Sequence, residues 1–263
     1  MIMFKSSLIQ RNNNFIKRIF KNFLYSIGYR VTKIGPYSVF DFESFLYRHL
    51  EANKKFSFLQ IGANDGVMND PIYRFNMDNK SKVIGFVLEP LPDVYKKLVK
   101  NYESCPKIKP FNLAIHESAT EMTMHRVKPS HISKIPEFAN GIASFDKSHW
   151  EKTKLIPNQD FMEEVPVKCM SFKDFIKANS IESIDLLLID TEGYDYQILM
   201  SIDFNKFKPK IIRFEHGIRN QVMTISNFKD ICNHLNSFGY QIITESYDAT
   251  AYIIDESDLI FEI

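Results

Sequence analysis

Short apolar runs alternate with amphipathic segments along most of the chain. Strands are predicted at 56–61, 82–88, 108–114, 165–170, 184–189 and 209–214. Helices are predicted at 41–52, after Pro71, and at 92–102, 171–178 and 225–238, where apolar residues recur at helical spacing. Apolar strands separated by helices are typical of a parallel sheet covered on both faces. The pattern therefore predicts an α/β fold with a mostly parallel sheet and helices on both faces.

Strands are also predicted in two other regions. Residues 121–127 have the pattern of an edge or hairpin strand. Residues 240–244 and 251–254 form a closing strand pair, which adds an antiparallel strand to the otherwise parallel sheet. No internal repeat is present, so the strands from residue 55 to residue 263 are assigned to one domain.

The alternation is interrupted between residues 128 and 163. This segment contains prolines, a glycine and the only tryptophan, Trp150. A long irregular insertion in a compact domain is usually functional or disordered. Its aromatic content favours a lid over the substrate, and Ser144 and Trp150 are interpreted as substrate contacts.

Residues 1–54 are predicted to form a basic helical extension before the domain. Every charged residue before Asp41 is basic, and the apolar residues of segment 16–27 fall on one helical face. Such a helix binds an anionic membrane surface or packs on the domain, and both interpretations of residues 1–34 stay open. No apolar run is long enough to span a bilayer, and charges interrupt the segment where a signal peptide would be.

The charge balance and the cysteines indicate a cytoplasmic protein that does not bind nucleic acid. The 33 basic and 32 acidic residues leave a net charge of only +1, without the basic excess of nucleic-acid binders. The three cysteines are scattered and lack zinc-ligand spacing. Peripheral attachment at the inner face of the membrane is the alternative that the basic extension favours.

Polar residues stand at the carboxyl ends of the predicted strands. Five strand ends carry candidate ligand groups: Gly62 with Asn64 and Asp65, Glu89, Asn112, Asp190 with Glu192, and Glu215 with His216. Ligands of open parallel sheets bind at this edge. A glycine turn after one strand and an acid after the next is the arrangement that holds a nucleoside, with the acid on the ribose hydroxyls. A nucleotide-like cofactor is therefore predicted.

The glycine turn differs from the dinucleotide-binding fingerprint. G-x-G-x-x-G needs glycine at its third and sixth positions, where this chain has Asn64 and Val67. A turn with polar side chains suits S-adenosylmethionine, whose charged amino-acid end stands where a dinucleotide has its pyrophosphate. An NAD(P)-dependent oxidoreductase and a catalytically silent nucleoside-binding protein are the alternative hypotheses.

The chain resembles the FkbM family of methyltransferases over roughly residues 56–254. The matching stretches, in the family's order, are FLQIGANDGVMNDP, VIGFVLEPLPDVYKKL, FNLAIHE, GIASF, VPVKCMSFKDFI, IDLLLIDTEGYDYQIL and IIRFEH. The resemblance implies a class I, Rossmann-like methyltransferase sheet and an S-adenosylmethionine-dependent O-methyltransferase. A hydroxyl of a sugar in a glycan, glycolipid or secondary metabolite is the implied acceptor, so polysaccharide biosynthesis is one implied setting.

The resemblance also implies roles for residues of the glycine turn and the following strands. Gly62, Asn64 and Asp65 would line the methionine end of the cofactor, Glu89 would bind the ribose, and Asn112 would border the adenine. Asp190 is also expected to contact the cofactor. Gln60 is a departure, because the strand before the glycine turn often carries an acid at this position.

Three residues are predicted to act on the acceptor hydroxyl. His216 is the predicted general base, because a neutral imidazole accepts a proton near neutral pH. Asp190 and Glu192 are predicted to orient the substrate or the histidine. Alternatively, Asp190 and Glu192 cap the next helix, and His216 is hydrogen-bonded within the sheet edge. A third alternative is that Asp190 and Glu215 hold Mg²⁺, which prefers oxygen ligands.

Overall fold

The computed structural model describes residues 40–136, 141, 143–148, 151 and 156–253. Its helices are α1 (Phe42–Asn53), α2 (Tyr73–Asp78), α3 (Pro92–Asn101), α4 (Phe172–Ala178), α5 (Asp195–Ser201) and α6 (Ile225–Ser237). Its strands are β1 (Phe56–Ile61), β2 (Val83–Leu88), β3 (Ile108–Phe111), β4 (Ala114–Ile115), β5 (Glu121–Val127), β6 (Ala143–Ser144), β7 (Met162–Met170), β8 (Leu186–Ile189), β9 (Ile211–Glu215), β10 (Gln241–Thr244) and β11 (Asp248–Tyr252). None of the helices in these ranges is long and apolar enough to cross a membrane.

The main sheet has the strand order β10-β11-β9-β8-β1-β2-β3. The pairs from β9 to β3 are all parallel, whereas β11 runs antiparallel to both β9 and β10. This confirms the predicted α/β fold and the class I methyltransferase sheet that the resemblance implied. The chain places β2 and β3 on one side of β1 and β8 and β9 on the other side. In sheets of this kind, the crevice at the carboxyl ends of the strands where the direction changes is where ligands bind.

The centre of the sheet is apolar on both faces. All four residues of β8 are buried, and Leu59, Leu187 and Ile212 have no solvent exposure. A strand covered on both faces has no polar side, which is why these segments show continuous apolar runs rather than alternation.

Helix α1 is tied to the amino-terminal edge of the main sheet. Asp41 caps the helix by accepting a hydrogen bond from the Ser44 backbone N–H at 3.1 Å. His49 contacts the Asp185 carboxylate at 3.2 Å, and the other oxygen of Asp185 accepts the Ser57 N–H at 2.8 Å. Neighbouring charge and hydrogen bonds hold the pKa of Asp185 below its usual value in spite of partial burial. The predicted amphipathic segment 1–34 lies outside the described residues.

The single strand predicted at 108–114 is wrong. The chain forms β3, which extends the main sheet, and then β4, which pairs with β7 in a second sheet of order β4-β7-β5-β6. The break falls at Asn112, whose side-chain amide donates to the backbone carbonyls of Glu89 and Pro90 at 2.9 and 2.8 Å. An apolar run that predicts a strand does not indicate which of two sheets each half of that run will join.

The insertion at 128–163 contributes β6 to the second sheet. β6 pairs with β5 through Ser144 and His125, and this pairing carries Gly141 and residues 143–145 to the carboxyl edge of the main sheet. Strand β7 begins three residues earlier than predicted because it pairs with β5 along its length. Trp150 and the end of the predicted closing strand at residue 254 lie outside the described residues.

Candidate functional site

A solvent-open cleft lies at the carboxyl ends of β1, β2 and β8. Its empty volume, counted together with the open solvent at its mouth, is about 1030 Å³. Five of the predicted site residues line this cleft together: Gly62, Asn64, Glu89, Asp190 and Glu192. The topology therefore brings together residues that are up to 130 positions apart in sequence.

The Gly62 turn forms the floor of the cleft. Gly62 has φ +83°, and a Cβ atom there would lie 1.8 Å from the Asp190 carbonyl oxygen. Asn64 also takes a left-handed conformation, with φ +50°, which asparagine tolerates better than most residues. Its backbone N–H donates to Glu89 Oε2 at 3.0 Å. Glycine is required at residue 62 both for the backbone angle and for the close approach of β8.

Glu89 is held from two sides by backbone groups. Besides the Asn64 N–H, it accepts the Leu91 N–H through Oε1 at 2.8 Å. The side chain is only 6% exposed. Burial raises the pKa of Glu89 to about 7, although the two hydrogen bonds lower it. The carboxylate is thus fixed in place, with a charge that changes near neutral pH.

Asp65 and Asn112 shape the cleft rather than line it. Asp65 Oδ1 accepts the N–H groups of Val67 and Met68 at 2.9 and 2.8 Å, which closes the turn after Gly62. Asn112 bonds the backbone after β2, as described above, while its neighbours Leu113 and Ala114 line the cleft. Both side chains are therefore placed to hold loops in position.

The Asp190–Glu192 turn forms the opposite wall. Asp190 follows β8 and is exposed to the cleft, whereas Glu192 has a left-handed φ of +52°. The Ser144 hydroxyl donates to the Glu192 carbonyl at 2.9 Å, which anchors the insertion to this turn. The N-cap residue of α5 is Tyr194, so neither acid occupies the capping position.

Asp195 is a buried acid that sequence reasoning missed. Its Oδ2 accepts the Thr191 N–H at 3.1 Å and the Thr191 hydroxyl, and its Oδ1 accepts the Glu215 N–H at 3.2 Å. Burial raises the pKa of Asp195 to about 6. The side chain thus joins the ends of β8 and β9, and an acid in the first turn of a short helix gives no sequence signal of this role.

Acidic groups are concentrated behind the Asp190 wall. Desolvation within the cleft, and then the charges of the nearby Glu192 and Asp195, raise the pKa of Asp190 well above its usual value. Burial, followed by the charge of Asp190, raises the pKa of Glu215 to about 10. The pKa of Asp248 is raised by burial, and the charge of Arg213 opposes that rise. The clustered acids therefore bind a proton or a cation more readily than separated acids would.

We expect the protein with Glu215→Gln to lose less stability at high pH than the unchanged protein. The pKa of Glu215 is about 10 in the folded state against 4.5 ordinarily, so the folded state binds the proton more tightly. The free energy of unfolding contributed by this group therefore falls as pH rises from 4.5 towards 10. Glutamine cannot ionise, so the substitution removes this fall.

Urea unfolding at pH 5 and pH 9 measures the difference. The loss of free energy of unfolding between these pH values should be smaller in E215Q by at least about 2 kcal/mol. Glu182→Gln, at an exposed position, is the control and should behave as the unchanged protein. Equal losses in all three proteins would contradict the raised pKa of Glu215.

His216 lies outside the cleft lining, with both ring nitrogens engaged. Nδ1 accepts the Ile218 N–H at 3.3 Å, so Nε2 carries the proton and donates to the Glu245 carbonyl at 3.3 Å. The ring packs on Phe228 with a centroid distance of 4.9 Å and is 4% exposed. No lone pair is left to accept a proton, so this geometry does not favour the predicted general base. Which sheet-edge groups surround a histidine cannot be derived from its place after a strand.

The predicted Mg²⁺ site gains no support from the described residues. Among them, no group of three or more histidine, cysteine, aspartate or glutamate side chains is arranged to hold a metal ion. Asp190 is instead close enough to Glu215 for its charge to raise the pKa of Glu215.

Aromatic side chains at the mouth of the cleft were also missed. Phe145 and Tyr194 line the cleft and meet edge to face at 5.3 Å between centroids. Tyr194 stacks on His116, also at 5.3 Å. Tyr194 directly follows the Asp190 turn in the sequence. Phe145, in contrast, reaches the cleft only because β6 pairs with β5.

Solved structures, two of them described as O-methyltransferases, show distant similarity to the chain. A putative caffeoyl-CoA O-methyltransferase from Staphylococcus aureus is 9% identical, with 95% of this chain and 99% of that chain covered and a TM-score of 0.45. The O-methyltransferase from Bacillus cereus in complex with SAH is 8% identical, with 88% and 87% covered and a TM-score of 0.41. The Methanococcus jannaschii fibrillarin pre-rRNA processing protein is 14% identical with a TM-score of 0.39, and the alignment covers 76% of this chain but only 66% of the fibrillarin chain.

Family membership is shown by the sequence itself. No curated protein matches the chain significantly. The model of the methyltransferase FkbM domain matches residues 60–242, a span that contains the Gly62 turn, Glu89 and the Asp190 turn. The chain therefore belongs to the FkbM methyltransferase family and is an S-adenosylmethionine-dependent methyltransferase.

Proposed function

We propose that the protein transfers the methyl group of S-adenosylmethionine to a hydroxyl oxygen of a sugar in a glycan, glycolipid or secondary metabolite. The observation that carries this proposal is the Asp190 carboxylate, which is exposed to the cleft and has a raised pKa. In its ionised form such a carboxylate is a stronger base than an ordinary one, which suits removal of a hydroxyl proton.

The cofactor residues fit the parts of S-adenosylmethionine. The Glu89 carboxylate, fixed by two backbone N–H groups, accepts hydrogen bonds from the ribose hydroxyls. Apolar side chains of Leu91, Leu113 and Ala114 line the cleft beyond it and suit the adenine. When bound, the cofactor supplies a methyl group on a positively charged sulfur. The Asp190 carboxylate and its acidic neighbours favour that charge.

The opposite wall supports a sugar as the acceptor. Phe145 and Tyr194 present apolar faces, against which the C–H groups of a sugar ring can pack. The Glu192 carboxylate in the same lining accepts hydroxyl hydrogen bonds. Asp190 would take the proton of the acceptor hydroxyl, so that the hydroxyl oxygen can accept the methyl group, with S-adenosylhomocysteine as the leaving group. Asp195 keeps the turn in place by holding Thr191.

Calorimetric titration of the full chain with S-adenosylhomocysteine, with NAD as the control, tests the cofactor part. Saturable binding of S-adenosylhomocysteine alone is expected. The acceptor part is tested by transfer of a labelled methyl group to glycosides with free hydroxyls, compared with their fully O-methylated counterparts. Label in the first set only is expected, and label in proteins or nucleic acids but not in sugars would contradict the proposal.

The role of Glu89 predicts a pH dependence of nucleoside binding. With a pKa of about 7, roughly a tenth of Glu89 is ionised at pH 6 and roughly nine tenths at pH 8. If the ionised form binds the ribose, affinity for 5′-methylthioadenosine should be about tenfold weaker at pH 6 than at pH 8. Calorimetric titrations at pH 6 and pH 8 measure this difference in affinity. Glu89→Gln should bind more weakly and show no such dependence, and an equal dependence in both proteins would exclude Glu89 as its source.

A further inference from the structure

Gln60 stands two residues before Gly62, at the position where the strand before the glycine turn often carries an acid. Its side chain is 2% exposed and lines the cleft beside Gly62. The amide Nε2 donates to Asp70 Oδ2 at 2.9 Å. Because a carboxylate only accepts, this bond determines which end of the amide faces Asp70. The other end, Oε1, is buried and has no hydrogen-bond partner among the described residues.

Asp70 brings a carboxylate to the same part of the cleft. Asn69, with a left-handed φ of +57°, precedes it. Asp70 Oδ1 accepts the N–H groups of Ile72 and Tyr73, both at 2.7 Å, and so orients the side chain at the start of α2. Oδ2 accepts only from Gln60 among the described residues and keeps a lone pair. Burial raises the pKa of Asp70 to about 6, so most of it is ionised at neutral pH.

The two side chains offer acceptors to one ligand group. A buried carbonyl oxygen without a partner costs free energy until a donor reaches it. A carboxylate oxygen beside it adds negative charge. The group that satisfies both is a cation with several N–H donors, and a primary ammonium has three. A ligand carboxylate would be repelled from this position.

We propose that Asp70, oriented by Gln60, binds the α-ammonium group of the cofactor's methionine. The proposal rests on the proposed cofactor site, in which the Gly62 turn holds the same end of the molecule. Asp70 thus supplies the carboxylate that the strand before the turn lacks in this chain. Asp70 lies ten residues after Gln60 in the sequence, and the hydrogen bond between the two side chains connects the two positions.

Two ligands separate this role from general damage to the site. S-adenosylhomocysteine carries the ammonium, whereas 5′-methylthioadenosine has the same nucleoside and thioether without the amino-acid end. Calorimetry on Asp70→Asn should show affinity for S-adenosylhomocysteine reduced about 10- to 100-fold, since a hydrogen bond between charged groups is lost. Affinity for 5′-methylthioadenosine should change less than about threefold. An equal loss for both ligands, or no loss for either, would overturn the proposal.

Asp174→Asn is the matched control. Asp174 lies in the first turn of α4, where it accepts the Ser171 hydroxyl, and is outside the cleft lining, so both affinities should stay those of the unchanged protein. If D70N does not fold, the unchanged protein is titrated with the deaminated analogue of S-adenosylhomocysteine. That analogue should bind at least about tenfold more weakly, and equal affinity would overturn the proposal. Failure of the folded, unchanged protein to bind either nucleoside would contradict the cofactor site itself.

Discussion

Replacing Gly62 with alanine is expected to abolish S-adenosylhomocysteine binding and to cost the largest amount of stability of any single change in the turn. The backbone at residue 62 has φ +83°, a conformation that costs an L-residue about 1–2 kcal/mol. The added methyl group would also lie 1.8 Å from the Asp190 carbonyl oxygen. That oxygen belongs to the backbone, so β8 or the turn must move, and either movement displaces cleft residues.

Gly239→Ala separates the cost of the backbone conformation from the cost of the contact with Asp190. Gly239 has a similar φ of +87°, but a Cβ atom there would meet nothing within 4 Å. Its substitution should cost only the conformational part, about 1–2 kcal/mol, and leave cofactor affinity unchanged. Gly62→Ala should cost at least about 2 kcal/mol more. Urea unfolding and calorimetry measure both quantities, and equal effects of the two substitutions would show that the contact with Asp190 is unimportant.

Replacing Asp190 with asparagine is expected to reduce turnover about 10²- to 10⁴-fold, the contribution of a positioned general base. Affinity for S-adenosylhomocysteine should change little, because the product's sulfur is uncharged. The free energy of unfolding should stay equal or rise, since an acid whose pKa is raised in the folded state opposes folding when it ionises. Loss of activity together with unchanged or higher stability would exclude misfolding as the cause.

His216→Gln is the control that decides between the two candidate bases. A glutamine side chain can accept from the Ile218 N–H and donate to the Glu245 carbonyl, as the imidazole does. Turnover should therefore fall less than about tenfold. Glu192→Gln tests the neighbouring acid of the same cleft. A large loss in H216Q with near-normal turnover in D190N would return the general base to His216.

The main sheet was predictable because its signal is local. Apolar runs at β1, β2 and β8 and capped amphipathic helices such as α1 reflect burial of whole segments. The carboxyl ends of parallel strands meet at one edge, so Gly62, Glu89 and Asp190 could be assigned to one site from their positions alone. The structure brings these three to one cleft.

The second sheet and the insertion were not predictable in the same way. Whether a short apolar run pairs with one sheet or another depends on partners far away in sequence, as the division of 108–114 into β3 and β4 shows. Phe145 and Ser144 reach the cleft because β6 pairs with β5. No pattern within the insertion specifies that contact.

The sequence by itself determined the family. It also determined the α/β sheet and the sheet edge at which the cleft lies, because these depend on which segments are buried and on where strands end. Only the tertiary structure decided what each polar side chain does. Gln60 contacts Asp70, Asp195 joins two strand ends, and His216 is bonded to the carbonyl of Glu245, 29 residues away. The direction of a side chain at a strand end, and the proton affinity of an acid there, depend on neighbours that only the completed fold brings within hydrogen-bonding distance.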